Sequence, residues 1–117
     1  VDISAFTIGS IPTASNSIFN LAVSPVSSST TYLVEKEAAK LQSMLTIFGT
    51  TFPSLQSVGS IPTAAAVSTS GSKIWVLDSG SSNVYYMHIT GANYETLGSP
   101  SNVSLSGTPI GIALVGG

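Results

Sequence analysis

The sequence predicts an all-β fold of repeated antiparallel units, and three observations support this prediction. Short runs of β-branched and aromatic residues alternate with clusters of Gly, Ser, Asn and Asp, which is the usual signal of strands and hairpin turns. A six-residue motif occurs twice. Charged residues make up only 7% of the 117 residues, whereas about 25% is ordinary, and 43% are hydrophobic. A chain of this hydrophobicity with a net charge of −2 is expected to fold as one domain.

The clearest hairpin signal spans residues 71–89. A first strand is predicted over Ile74–Leu77, which contains the only Trp of the chain, and a second over Val84–Ile89. Between them lies the polar run Asp78–Asn83, whose Gly, Ser, Asp and Asn residues favour a tight turn.

The repeated motif divides the chain into units. Gly9–Ala14 recurs letter for letter as Gly59–Ala64, and a weaker third copy occupies Gly107–Gly111. Each copy leads into a short apolar segment. We therefore divide the domain into a leading strand (1–8), two repeats (9–58 and 59–106) and a partial third repeat (107–117). Four short strands in a period of about 47–50 residues are typical of an antiparallel β-propeller blade.

The two full repeats also match beyond the motif. Thr31–Glu35 matches Ile74–Asp78, and Gly49–Phe52 matches Gly91–Tyr94, after which Leu55 is matched to Leu97. Apolar residues of these strands are expected to form the core, and the following are predicted to be buried: Leu21, Val23, Ile74, Val76, Val84, Ile89 and Ile112.

One segment conflicts with the all-β prediction. Residues 33–48 are rich in helix formers, and their apolar positions fall on one helical face. The match to the second repeat instead predicts a hairpin, with Glu35–Lys40 as an enlarged turn and Leu41–Ile47 as the third strand. We favour the hairpin, because tertiary context often overrides helix propensity.

The second repeat resembles a blade of the YVTN-type β-propeller repeat family. The shared pattern consists of strand and turn positions: Pro62, Ala66-Val67-Ser68, Gly71–Val76, Asp78, Asn83-Val84 and Ile89. The tetrapeptide that names the family is replaced by Trp75–Asp78 and, in the first repeat, by Tyr32–Glu35. The resemblance implies a non-catalytic propeller, commonly of surface or secreted proteins, and it carries over no active site.

Two blades and part of a third form an incomplete ring, because closed propellers typically have 4 to 8 blades. Three arrangements would resolve this. The chain is a fragment of a longer propeller, or several copies form a ring, or strands pair between subunits in a fibre or shell. The last two make a homo-oligomer the expected partner, and the low surface charge favours assembly.

Two groups of residues are candidates for ligand or subunit contact. The aromatic residues of the second repeat could form a surface on which a sugar or a peptide stacks, although packing between blades is their more common role. They are Trp75, Tyr85, Tyr86 and Tyr94. The second group contains half of the charged residues and is either a solvated turn or helix face or an ionic subunit contact. It consists of Glu35, Lys36, Glu37 and Lys40.

Catalytic and metal sites are not predicted. His88 is the only His, and with Asp78 across the hairpin it could form a catalytic pair, but it occupies an ordinary strand position beside Tyr86. Asp78–Asn83 lacks the alternating acidic residues of a calcium loop, so Asp78 and Asn83 are expected to cap the turn. We expect no cofactor and no enzyme activity from this chain.

Composition narrows the function further. Three basic residues cannot neutralise a phosphate backbone, so we do not expect nucleic acid as a partner, and no apolar run is long enough to insert into a membrane. The sequence therefore predicts a structural, self-assembling β-repeat protein of a cell surface, filament or virion, located extracellularly or on such a surface. The alternatives are a carbohydrate- or peptide-binding propeller module and, after that, a fragment of a propeller enzyme.

Overall fold

The computed structural model describes residues 18–47 and 49–105, and it is all-β. The described residues form nine strands and no helix. The strands are β1 (Asn20–Val23), β2 (Thr30–Glu35), β3 (Lys40–Leu45), β4 (Leu55–Ser57), β5 (Pro62–Val67), β6 (Lys73–Asp78), β7 (Asn83–Thr90), β8 (Thr96–Leu97) and β9 (Ser101–Ser104). The predicted leading strand, the partial third repeat and Ile112 lie outside the described residues.

The strands form two antiparallel sheets. Sheet 1 has the order β1-β2-β3-β4. Sheet 2 has the order β5-β6-β7-β8, and β9 pairs with another stretch of β7. The antiparallel all-β fold is thus as predicted, and no closed propeller is seen in the described residues.

The predicted hairpin of residues 71–89 is present as β6 and β7. Trp75 pairs with Tyr86, and Asp78 pairs with Asn83 next to the turn. The segment of residues 33–48 with the competing helix signal contains most of a second hairpin, β2 and β3, in which Glu35 pairs with Lys40. The hairpin prediction is therefore correct there, because cross-strand pairing and burial outweigh the intrinsic helix preference.

The two sheets stack face to face around one core. The core face of each sheet is the face that points towards the other sheet, and the outer face points away. The core residues come from both sheets and are at most 5% exposed. They are Tyr32, Val34, Leu41, Val58, Ile74, Val76, Met87, Ile89 and Leu97.

The burial predictions are correct for three of the four residues named on sheet 2 and wrong for both residues named on β1. Ile74, Val76 and Ile89 are buried as predicted, whereas Val84 is half-buried. Leu21 is 53% exposed and Val23 67% exposed. Successive residues of a strand point to opposite faces, so Leu21 and Val23 lie on the outer face of sheet 1.

The predicted match of Leu55 to Leu97 is also wrong. Leu55 pairs with Gln42 in sheet 1, whereas Leu97 pairs with Ile89 in sheet 2. The strand of sheet 2 that occupies the place of β4 is β9, in which Asn102 pairs with Tyr85. The small strand β8 lengthens the connection between β7 and β9, and this extra length shifts the alignment.

Candidate functional site

The candidate site is an aromatic patch on the outer face of sheet 2. Trp75 of β6 and Tyr86 of β7 are direct cross-strand partners. Their ring centroids are 4.9 Å apart, with the planes tilted by 38°. Aromatic pairs of this kind stabilise a sheet by about 0.2–1 kcal/mol relative to small residues. Both rings are half-buried and leave part of their surface open to solvent.

A basic side chain and an imidazole extend this patch. Lys73 and His88 pair with each other one step along the same face. The Lys73 Nζ lies 5.0 Å from the centroid of the Tyr86 ring and 5.6 Å from that of Trp75, which are cation–π distances. His88 meets Tyr86 edge to face, with centroids 6.2 Å apart. We call Lys73, Trp75, Tyr86 and His88 the aromatic patch.

The four aromatic residues predicted as one contact surface are divided between two faces. Tyr85 and Tyr94 pack against the core between the sheets, on the opposite side from Trp75 and Tyr86. The period-2 alternation of a strand explains why the adjacent residues Tyr85 and Tyr86 separate. Lys73, which sequence reasoning did not include, belongs to the patch because its register position places it opposite His88.

The predicted charged group lies elsewhere, at the β2–β3 hairpin of sheet 1. Glu35 is only 2% exposed, so it is not part of a solvated turn, whereas Glu37 is exposed. The Lys36 Nζ lies 4.5 Å from the centroid of the Phe19 ring. The Lys40 Nζ donates a hydrogen bond to Ser57 Oγ over 2.7 Å. The group therefore combines a buried carboxylate with two partly covered ammonium groups.

The buried carboxylate of Asp78 caps a turn. It is fully buried and accepts hydrogen bonds from the backbone N–H groups of Ile61 (2.7 Å), Ser60 (3.1 Å) and Gly80 (3.1 Å), and from Ser81 Oγ. Burial acts to raise the pKa of Asp78, but these hydrogen bonds outweigh it and hold the pKa below its ordinary value of 3.8. The predicted capping role of Asp78 is thus confirmed.

Asp78 and His88 do not form a catalytic pair. Asp78 follows Ile74 and Val76 along the core side of β6, whereas His88 is exposed on the outer face of sheet 2. Residues 18–47 and 49–105 contain no cluster of three or more His, Cys, Asp or Glu side chains that could hold a metal ion.

Hydrogen bonds from sheet 1 to the turn after β7 fix how the two sheets stack. Three hydroxyl groups on the core face of sheet 1 donate to successive backbone carbonyls of that turn. Tyr32 donates to Tyr94 O and Ser43 to Glu95 O, both over 2.7 Å, and Thr30 donates to Asn93 O. Burial and the nearby Glu95 raise the pKa of Tyr32 to about 12, despite a hydrogen bond with Ser24 that lowers it. Tyr32 is therefore a neutral donor at physiological pH.

Comparison with known proteins adds no relative: neither a family model nor a curated protein matches this chain. No helix long and apolar enough to cross a membrane occurs in the part of the chain that the structure describes.

Proposed function

We propose that this protein is a structural, non-catalytic β-repeat protein that self-assembles through the faces of its sheets. The observation that carries the proposal is the apolar outer face of sheet 1, where Leu21 is 53% exposed, Val23 67% and Leu55 50%. Contiguous exposed apolar surface on a folded protein typically marks an interaction site. Leu21 and Val23 are neighbours on this face of the edge strand β1. Leu55 lies on the opposite edge strand, β4, in the same cross-strand row as Leu21, and the residues between them, Leu33 and Gln42, are buried.

The composition supports assembly rather than a soluble monomer. Only eight of the 117 residues are Lys, Arg, Asp or Glu, and the net charge is −2. Net charge far from zero keeps proteins apart, and this chain has little of it. We propose that the two sheets act as blades of an incomplete propeller, completed by further copies or continued as a filament or shell on a cell or virion surface.

The mass of the particle in solution tests this function. Size-exclusion chromatography with light scattering is expected to show oligomers at micromolar protein concentration, with the oligomer fraction rising on concentration. A stable monomer at these concentrations would rule out self-assembly as the function. The chain should be tested without a fused partner protein, because a large tag can prevent packing of the sheet faces.

A second candidate function is binding of a carbohydrate or peptide at the aromatic patch. The half-buried rings of Trp75 and Tyr86, with Lys73 beside them, offer ring surface and a hydrogen-bond donor, a combination suited to sugars and to aromatic or acidic peptides. A glycan and peptide array tests it. Binding that survives in Trp75→Ala would contradict this candidate.

A further inference from the structure

The first three strands of sheet 1 correspond to the first three strands of sheet 2. Glu35 pairs with Lys40 beside the turn of sheet 1, just as Asp78 pairs with Asn83 beside the turn of sheet 2. Counting from these pairs, Tyr32 corresponds to Trp75, and Leu33 to Val76. Along the first strands, Ala22 corresponds to Ala66, and Val23 to Val67, because their partners correspond.

Corresponding residues point to opposite faces relative to the core. Tyr32 lies on the core face of sheet 1, but its counterpart Trp75 lies on the outer face of sheet 2. Leu33 lies on the outer face of sheet 1 with Met44, but its counterpart Val76 is in the core. The sheets are therefore stacked in the same orientation, one behind the other, and are not related by a mirror-like pairing of equivalent faces.

This stacking leaves two different outer faces. Each outer face is the counterpart of the core face of the other sheet. The outer face of sheet 2 corresponds to the core face of sheet 1. The outer face of sheet 1 corresponds to the core face of sheet 2. The two outer faces could therefore pack on each other in the same way as the two core faces do within one chain.

The hydrogen-bond donors support the same correspondence. Thr30, Tyr32 and Ser43 each donate from sheet 1 to a carbonyl of the turn after β7. Their counterparts on the outer face of sheet 2 are three members of the aromatic patch, each of which again carries an N–H or O–H donor. They are Lys73, Trp75 and Tyr86.

The acceptor turn also has a counterpart. Gly91 opens the turn after β7 with φ of 98°, and Gly49 adopts φ of 94° in the turn after β3. Tyr94 packs against the core between the sheets, whereas Phe52 packs on the outer face of sheet 1, beside Leu33 and Met44. The turn of residues 49–53 therefore places Phe52 at the outer face of sheet 1, as the turn after β7 places Tyr94 at the core.

We infer that the outer face of sheet 2 of one copy packs on the outer face of sheet 1 of a second copy, in the same arrangement that the two sheets adopt within one chain. This inference rests on the proposed self-assembly and specifies its contact. Trp75 and Tyr86 then cover the exposed Leu21 and Val23 of the second copy, next to Phe52, which packs against the buried Leu33 of its own chain.

Cysteine cross-linking tests this contact, since the chain contains no Cys. Ala22 and Val67 pack against the same core within one chain, and β1 lies against β5. Their counterparts are Ala66 and Val23, so the contact brings Ala66 of one copy close to Val23 of the next. Two single variants, Ala66→Cys and Val23→Cys, are mixed and treated with a short bis-maleimide reagent.

The mixture is expected to yield covalent dimers that contain one chain of each variant, whereas each variant alone yields few. The double variant Val23→Cys with Ala66→Cys is expected to give a ladder of dimers, trimers and longer species. The double variant Ala22→Cys with Val67→Cys serves as the control, because it should cross-link within one chain and show that the reagent spans the distance.

The outcomes separate this inference from the proposed function. Light scattering is measured on every variant first, and a variant that no longer assembles is replaced by the pair Leu21→Cys and Ala64→Cys on the same faces. Oligomers that do not cross-link in the mixture, or that cross-link only within a single variant, overturn the contact and leave self-assembly standing. A monomeric wild-type chain overturns both.

Discussion

Replacing Asp78 by asparagine is expected to destabilise the fold by about 2–3 kcal/mol. The substitution keeps the volume of the buried side chain but replaces one acceptor oxygen by an N–H₂ group. In place of Oδ1 this group faces the backbone N–H groups of Ile61 and Gly80, and in place of Oδ2 it faces the N–H of Ser60 and the hydroxyl of Ser81. A hydrogen bond to a charged group contributes about 1.5–3 kcal/mol, and a buried donor left without a partner costs about 1–3 kcal/mol. The three backbone donors belong to exposed residues, so water takes over part of the loss.

Urea unfolding followed by the fluorescence of Trp75 measures this loss. The urea dependence of the free energy is about 1–3 kcal/mol per M, so the midpoint should fall by roughly 1–2 M. The matched control is Glu37→Gln, since Glu37 is exposed, and it should stay within about 0.5 kcal/mol of the wild type. All variants are compared at one protein concentration, because assembly adds to the apparent stability.

The pH dependence gives a second measure of the same carboxylate. The folded pKa of Asp78 lies below its ordinary value of 3.8, so its contribution is fully present above that pH and is lost as the pH falls through the lower, folded pKa. The difference in stability between wild type and Asp78→Asn should therefore shrink below pH 3.8. A difference that is absent at neutral pH, or that stays constant in acid, would refute the capping role.

Two further predictions concern the backbone and the core. Gly59→Ala should destabilise the protein by more than Gly49→Ala. Both glycines have positive φ, which costs an alanine about 1–2 kcal/mol. A Cβ at Gly59 would also overlap the carboxylate of Asp78, whereas none of the described residues lies within 4 Å of a Cβ at Gly49. Equal losses in urea unfolding would contradict the close approach of residues 59 and 78. Tyr32→Phe should cost about 0.5–1.5 kcal/mol through the lost hydrogen bond to Tyr94 O. Because the folded pKa of Tyr32 is about 12 and its ordinary value is 10.0, wild-type stability should fall between pH 10 and 12. The same fall in Tyr32→Phe would contradict the burial of the Tyr32 hydroxyl.

The sequence predicted the strands well because local signals and the repeat agree there. The β-branched and aromatic run around Trp75 and the polar run from Asp78 to Asn83 define β6, its turn and β7 without tertiary information. In residues 33–48 the local signal indicated a helix, and only the match to the second repeat favoured the hairpin that the structure has. Helix propensity contributes a few tenths of a kcal/mol per residue, which pairing with β2 and burial of Leu41 easily exceed.

Burial and the composition of the site were harder to predict, because alternation separates two faces without saying which one is covered. Leu21 and Val23 have the residue types of a core, but they lie on the outer face of sheet 1. For the same reason Tyr85 and Tyr86 were predicted to belong to one contact surface, although consecutive residues of β7 face opposite sides. Which face of a sheet meets its neighbour depends on the stacking of sheets, and that is set by contacts between residues far apart in sequence.

The stacking order also determines what kind of assembly the faces allow. If two copies met through identical faces, one type of outer face would be buried, and the other would stay exposed at both ends of the dimer. Contact between the two different outer faces buries both types at every junction and leaves one exposed face of each type at the ends. Such a head-to-tail contact closes into a ring if the rotation per copy permits and otherwise grows into a filament. The relation between the two sheets within the chain is therefore the property that sets the shape of the proposed assembly.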